Sequence, residues 1–162
     1  MASSSPPIEA VIGRLLKEKR LTLSAAESCT GGNISRLITS VPGASEYYLG
    51  SVTSYANSVK ENVLGVPAEI IDTFGAVSSE CVAKMAEGVR RITGSDFSVA
   101  TSGIAGPGGA TPDKPVGLVW IGVCSPRGTR TLSAVFPFDR AKNIESFTQA
   151  ALEELLKDIQ AL

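Results

Sequence analysis

Histidine is missing from all 162 residues, and this absence excludes more chemistry than any other feature of the composition. Without imidazole there can be no Ser-His-Asp or Cys-His triad and no zinc site that leans on histidine, so a general base must be Lys, Asp, Glu, Tyr or a substrate group. Cysteine is scarce: Cys29, Cys81 and Cys124 are far apart and form no CxxC pair. That spacing argues against a disulfide framework and a thiolate metal site, and fits a reducing cytoplasm. Excess positive charge is lacking too, with 15 Lys and Arg against 16 Asp and Glu, so no nucleic-acid partner is expected. No apolar run approaches the roughly 18 residues of a membrane span, and the opening MASSSPPIEA has no basic segment followed by an apolar one. A soluble, unexported protein without membrane contact is expected. Neither GxGxxG nor GxxxxGK[ST] occurs, so dinucleotide and ATP-type binding lack their fingerprints.

What is present suits one α/β domain. Apolar residues make up 43% and charged residues 19%, the latter below the average of about 25% for soluble domains. Residues 1–7 are small and proline-rich and read as a frayed lead-in, leaving 8–162 as the domain. Ile8, Val11, Leu15 and Leu16 recur at helical spacing. LTLSAAES reads as a strand, and Gly31 and Gly32 open a helix over NISRLITSV. YYLGSVTSYA predicts a strand, NSVKENVLG a short helix capped by Asn57, and PAEIIDTFG a helix with Pro67 at its first position. SSECVAKMAEGVRRITG is a longer amphipathic helix, DFSVATSG a buried strand, and GLVWIGVCS and TRTLSAVFPF a hairpin around PRG. A long amphipathic helix ends the chain. The expected fold is a three-layer α/β/α sandwich with a mixed sheet of about five strands.

Three clusters could carry chemistry. The loop SGIAGPGGATPDKPVG, Ser102 to Gly117, holds five glycines and three prolines at the end of a strand, where open α/β sheets bind ligands. In SCTGGN, Ser28, Thr30 and the N–H groups of a helix start would suit a phosphate or carboxylate, although an ordinary N-cap explains the same residues. In the third cluster, an N-cap at Asn57 puts Lys60 at the third helical position, where a cation opposes the helix dipole. The helix terminus and burial both lower a lysine pKa, which suits a lysine that must be neutral at pH 7. Tyr55 lies at the preceding strand end. Neutral lysine can activate a serine hydroxyl. Ser45, after a Pro-Gly turn, and Ser28 compete for that role, and spacing does not decide between them.

The motifs AESCTGG, PGAS, SYANSVKENVLGV, FGAVSSE, TSGIAGPGG, KPVGLVWIGV and FPFDR, running from Ala26 to Arg140, resemble the C-terminal domain of the competence and damage-inducible protein CinA. Stand-alone members of that family are nicotinamide mononucleotide deamidases. The resemblance implies an amidohydrolase without cofactor or metal, commonly a homodimer or a higher homo-oligomer, which converts nicotinamide mononucleotide and water to nicotinate mononucleotide and ammonia. A non-catalytic module that binds a mononucleotide in the same pocket is the alternative. By motif, Ser45 matches the family's nucleophile, Lys60 its lysine base and Tyr55 an assisting hydroxyl. Ser28, Thr30, Gly31, Thr101, Ser102, Gly103 and Arg140 match pocket positions. The additional domain of larger family members, which resembles molybdopterin-binding proteins, is not expected here.

Overall fold

Leu23–Glu27, LSAAE, forms a strand buried along its whole length, because its small and apolar side chains let helices approach both faces of the sheet. The computed structural model, which describes residues 4–162, contains eleven regular elements, this strand among them. In chain order they are α1 (Ile8–Lys19), β1 (Leu23–Glu27), α2 (Asn33–Thr39), β2 (Tyr48–Thr53), α3 (Asn57–Asn62), α4 (Ala68–Phe74), α5 (Ser79–Thr93), β3 (Phe97–Gly103), β4 (Leu118–Ser125), β5 (Gly128–Val135) and α6 (Arg140–Gln160), with a 3-10 turn at Ala44–Glu46. Residues 1–3 of the expected lead-in lie outside the described residues, and residues 4–7 carry no regular element.

The sheet order is β2-β1-β3-β4-β5. β1 runs parallel to β2 and to β3, while β3-β4 and β4-β5 are antiparallel, so the sheet is mixed, as expected. Alternate side chains sort into two cores. Leu23, Ala25, Phe97 and Val99 pack with α1, α2 and α6. Ala26 and Ala100 pack with α5 on the opposite face, together with Leu64 and Val66. Small residues bring α5 close on this side: a Cβ on Gly122 would sit 2.8 Å from the carbonyl oxygen of Val82. The result is the three-layer sandwich.

Two local expectations are corrected. Asn57 does not cap α3: Ala56 occupies the N-cap, no side chain caps the helix, and Asn57 is its first residue. Pro67 is likewise the N-cap of α4 and not its first helical position. Neither shift changes the sheet. The first, however, moves Lys60 from the third to the fourth helical position.

Candidate active site

The connection from β1 to β2 runs through α2, on the face that packs against α1 and α6, whereas that from β2 to β3 passes β1 through α5 on the other face. Loops leaving neighbouring parallel strands in opposite directions open a crevice at their carboxyl ends. A cavity of about 260 Å³ lies there, lined by Ser28 beyond β1, by Tyr55 and Lys60 beyond β2, by Ser102 and Gly103 at the end of β3, and by Arg140 at the start of α6. Asn57 and the segment from Ile104 to Gly109 complete much of its wall.

The turn after β1 reverses through two left-handed glycines, Gly31 at φ 60° and Gly32 at φ 98°, a conformation that glycine adopts without steric cost. Its near end is pinned to the sheet, since the Ser28 N–H donates to the Thr101 carbonyl at 3.1 Å. Ser28 faces the cavity. Its neighbour Cys29 is buried, and burial pushes that thiol up to about 12, which leaves it a poor nucleophile at neutral pH.

Glu27, fully buried at the end of β1, accounts for the rest of the turn. Its carboxylate accepts from the Thr30 hydroxyl at 2.7 Å, the Ile34 N–H at 2.8 Å and the Ser35 N–H at 3.0 Å. These are the helix-start amides that the sequence offers to a phosphate, and an internal carboxylate already occupies them. The anion-site reading of this helix terminus is therefore corrected. Thr30 in turn meets the Thr101 hydroxyl at 2.9 Å. Thr30 and Thr101 stand behind the cavity wall, and neither they nor Gly31 line it.

Lys60 is only 1% exposed, yet it lines the cavity. Its Nζ donates to the carbonyls of Ser54 at 2.8 Å and Tyr55 at 3.2 Å. Burial lowers its pKa, and the nearby Cys81 and Cys29 thiols oppose that shift. Desolvation, and not the helix terminus, is the dominant cause. A neutral amine has two N–H bonds and one lone pair. With both bonds directed at carbonyls, the lone pair is left free to take a proton.

Arg140 closes the rim. Its guanidinium donates to the Gly106 carbonyl at 2.7 Å and to the Tyr55 hydroxyl at 3.2 Å. One turn further along α6, Asn143 holds the Ala105 carbonyl at 3.0 Å, so the glycine-rich loop is tied to α6 at two successive residues. Gly103 lies close behind: a Cβ there would meet the Leu118 oxygen at 2.5 Å and the Cys29 sulfur at 3.2 Å.

Ser45 lies elsewhere. It sits in the 3-10 turn and lines a separate surface cavity with Thr39, Pro42 and Tyr48, so within this chain it is not brought beside Lys60. The site thus unites Ser28, Tyr55, Lys60, Ser102, Gly103 and Arg140, leaves Ser45 outside, and sets Thr30 and Thr101 in support. Glu27 does not stand out in the sequence, and Asn57, expected only as a helix cap, lines the cavity instead. The signal for Glu27 was an acid directly preceding a glycine-rich helix start.

A buried lysine and Ser28 thus line one crevice at the carboxyl ends of the parallel strands of an α/β/α sandwich. The family model of the CinA C-terminal domain matches residues 6–159, and the chain belongs to that family. It is 50% identical over 153 residues to a CinA-like protein of Desulfosudis oleivorans, an alignment that covers 94% of this chain and 37% of the relative. It is also 50% identical over 147 residues to one of Salinibacter ruber, covering 91% and 36%. The chain therefore spans little more than a third of the length of these curated relatives. Among solved structures, the competence damage-inducible protein A of Klebsiella pneumoniae superposes with a TM-score of 0.91 at 31% identity, covering 94% of this chain and 95% of that one. The competence/damage inducible protein CihA of Agrobacterium tumefaciens gives 0.84 at 34%, covering 96% and 98%.

Proposed function

We propose that this chain hydrolyses the carboxamide of nicotinamide mononucleotide, giving nicotinate mononucleotide and ammonia. The observation that carries the reading is Lys60: a desolvated lysine with a lowered pKa, held by two carbonyls, lining the same cavity as Ser28 in a chain without histidine. Lys60 takes the Ser28 proton as the hydroxyl oxygen attacks the amide carbon, and the C–O bond forms as the carbonyl π electrons move to oxygen. The resulting oxyanion would be met by main-chain N–H donors of the glycine-rich loop, whose Gly108 and Gly109 line the cavity. Lys60 then gives its proton to the departing nitrogen, ammonia leaves, and water cleaves the acyl-enzyme with Lys60 again as base. Arg140 suits the substrate phosphate because its planar fork carries parallel donors, and Tyr55 orients the group it touches.

Ser28 takes the nucleophile's role here because it shares the cavity with Lys60, whereas Ser45, the residue matched by motif, lines another. The test is ammonia release from nicotinamide mononucleotide by the purified protein, alongside equilibrium binding of the same compound. Turnover with equimolar ammonia supports the amidase. Saturable binding without ammonia overturns it in favour of a non-catalytic mononucleotide-binding module.

A further inference from the structure

We infer that Glu27 is a positioning residue of the active site: a buried carboxylate that holds the serine-bearing turn in register with the lysine-bearing corner. A carboxylate with no solvent exposure is costly unless its oxygens are fully engaged. No lysine or arginine pairs with Glu27 among the described residues. Its charge is met instead by three donors, the Thr30 hydroxyl and the amides of Ile34 and Ser35. All three belong to the turn and helix that follow Ser28, so the side chain fixes where that turn sits.

The main chain of the same residue fixes the other half. The Glu27 carbonyl accepts the Ser54 N–H at 2.8 Å, and the Ser54 carbonyl accepts Lys60 Nζ at 2.8 Å. Thr30 extends the side-chain arm to Thr101 at 2.9 Å, beside the Thr101 carbonyl that receives the Ser28 N–H at 3.1 Å. One residue at the end of β1 therefore links the strand ends that supply Ser28, Lys60 and Ser102. Helix capping alone accounts for the amides of Ile34 and Ser35 but not for the arm through Thr30 to β3.

The kinetic consequence rests on the amidase reading; the structural one does not. Glu27→Gln keeps the side-chain shape but sets an amide NH2 against the N–H donors. A displacement of about 1 Å in a reacting group can cost about 100-fold, so kcat falls by about that factor while KM stays within about threefold. Thr30→Val removes one hydroxyl and with it the bonds to Glu27 and Thr101, leaves the Ile34 and Ser35 amides on the carboxylate, and lowers kcat about tenfold, and Thr30→Ser restores it. The independent readout is Cys29, next to Ser28 and buried with the turn, with Cys124 as the reference, buried on β4 opposite Ser98, because Cys81 lies close to Lys60. In Glu27→Gln, mass-mapped thiol labelling under native conditions accelerates at least about tenfold at Cys29 and stays unchanged at Cys124, as local opening requires.

Equal acceleration at Cys29 and Cys124 makes Glu27 a general stability residue and overturns the inference. So does a kcat loss with Cys29 still protected, or an unchanged kcat in a folded variant. Absence of ammonia release by the wild type removes the amidase reading only, because selective labelling at Cys29 still tests the anchoring of the turn.

Discussion

Lys60 Nζ lies 2.8 Å from the main-chain oxygen of Ser54, and both residues are sealed from solvent, at 1% and 0% exposure. A carbonyl can orient an amine without supplying the negative charge that would hold it protonated. The site accordingly contains a lysine restrained like a structural residue yet shifted toward its neutral form by burial.

The first prediction concerns pH. With neutral Lys60 as the base of the proposed mechanism, kcat/KM should rise as pH climbs through its lowered pKa, giving an acidic limb below the ordinary lysine value. Replacement by methionine removes the limb and lowers kcat by about 10²- to 10⁴-fold. The stability sign runs the same way. Between the lowered folded pKa and the unfolded value of 10.5, the unfolded chain binds more protons than the folded one, so this lysine's contribution to stability increases with pH. Urea denaturation at a series of pH values should show wild type gaining on Lys60→Met across that window. A flat difference means that the lysine pKa is not lowered.

The second prediction separates the two serines. Ser28→Ala should reduce kcat by at least about 10³-fold, as removal of a nucleophile does, whereas Ser45→Ala should stay within a few-fold of wild type. Steady-state ammonia release from both variants decides it, and the reverse ranking moves the chemistry to the turn at Ala44–Glu46.

These two residues also mark how far the sequence could be read. The sandwich and its mixed sheet were legible because glycine and proline punctuate short segments of clear period, and the long apolar stripes of α5 and α6 admit few alternatives. Lys60 was legible as an anomaly, a cation expected inside the first turn of a helix. Its partners were not, because the oxygens of Ser54 and Tyr55 belong to the main chain, which carries no side-chain signature. Ser28 against Ser45 was undecidable since either contact is tertiary. Glu27 was hidden for a related reason: its three donors sit three to eight residues onward and converge only after Gly31 and Gly32 reverse the chain.

The third prediction tests the rim. Arg140 spans the Gly106 carbonyl and the Tyr55 hydroxyl with two nitrogens, a span that the single ammonium of lysine does not reproduce. Arg140→Lys should raise KM for the mononucleotide by about tenfold or more, the cost of one charge-assisted contact, with a smaller effect on kcat. The unphosphorylated riboside should show little change in KM between the two proteins. An equal KM penalty on riboside and mononucleotide would indicate that Arg140 shapes the loop without meeting the phosphate.

The fourth prediction concerns Gly103, where β3 enters the cavity wall opposite Val119 of β4. A Cβ at this position would stand 2.5 Å from the Leu118 oxygen and 3.0 Å from the Val119 Cα, both backbone atoms that cannot swing aside as a side-chain tip would. The Leu118 oxygen also accepts the Ile104 N–H at 2.9 Å, so relieving the overlap strains the bond that starts the glycine-rich loop. Gly103→Ala should therefore destabilise the fold by about 1–3 kcal/mol, the usual cost of overpacking, seen as a lower urea midpoint at unchanged slope. The third neighbour is the Cys29 sulfur at 3.2 Å, which couples the strain to the turn bearing Ser28. Gly103→Ala combined with Cys29→Ala should recover part of the lost stability, because removing the sulfur lets the strand move toward the turn. No recovery in the double variant would locate the strain wholly at the β3-β4 backbone.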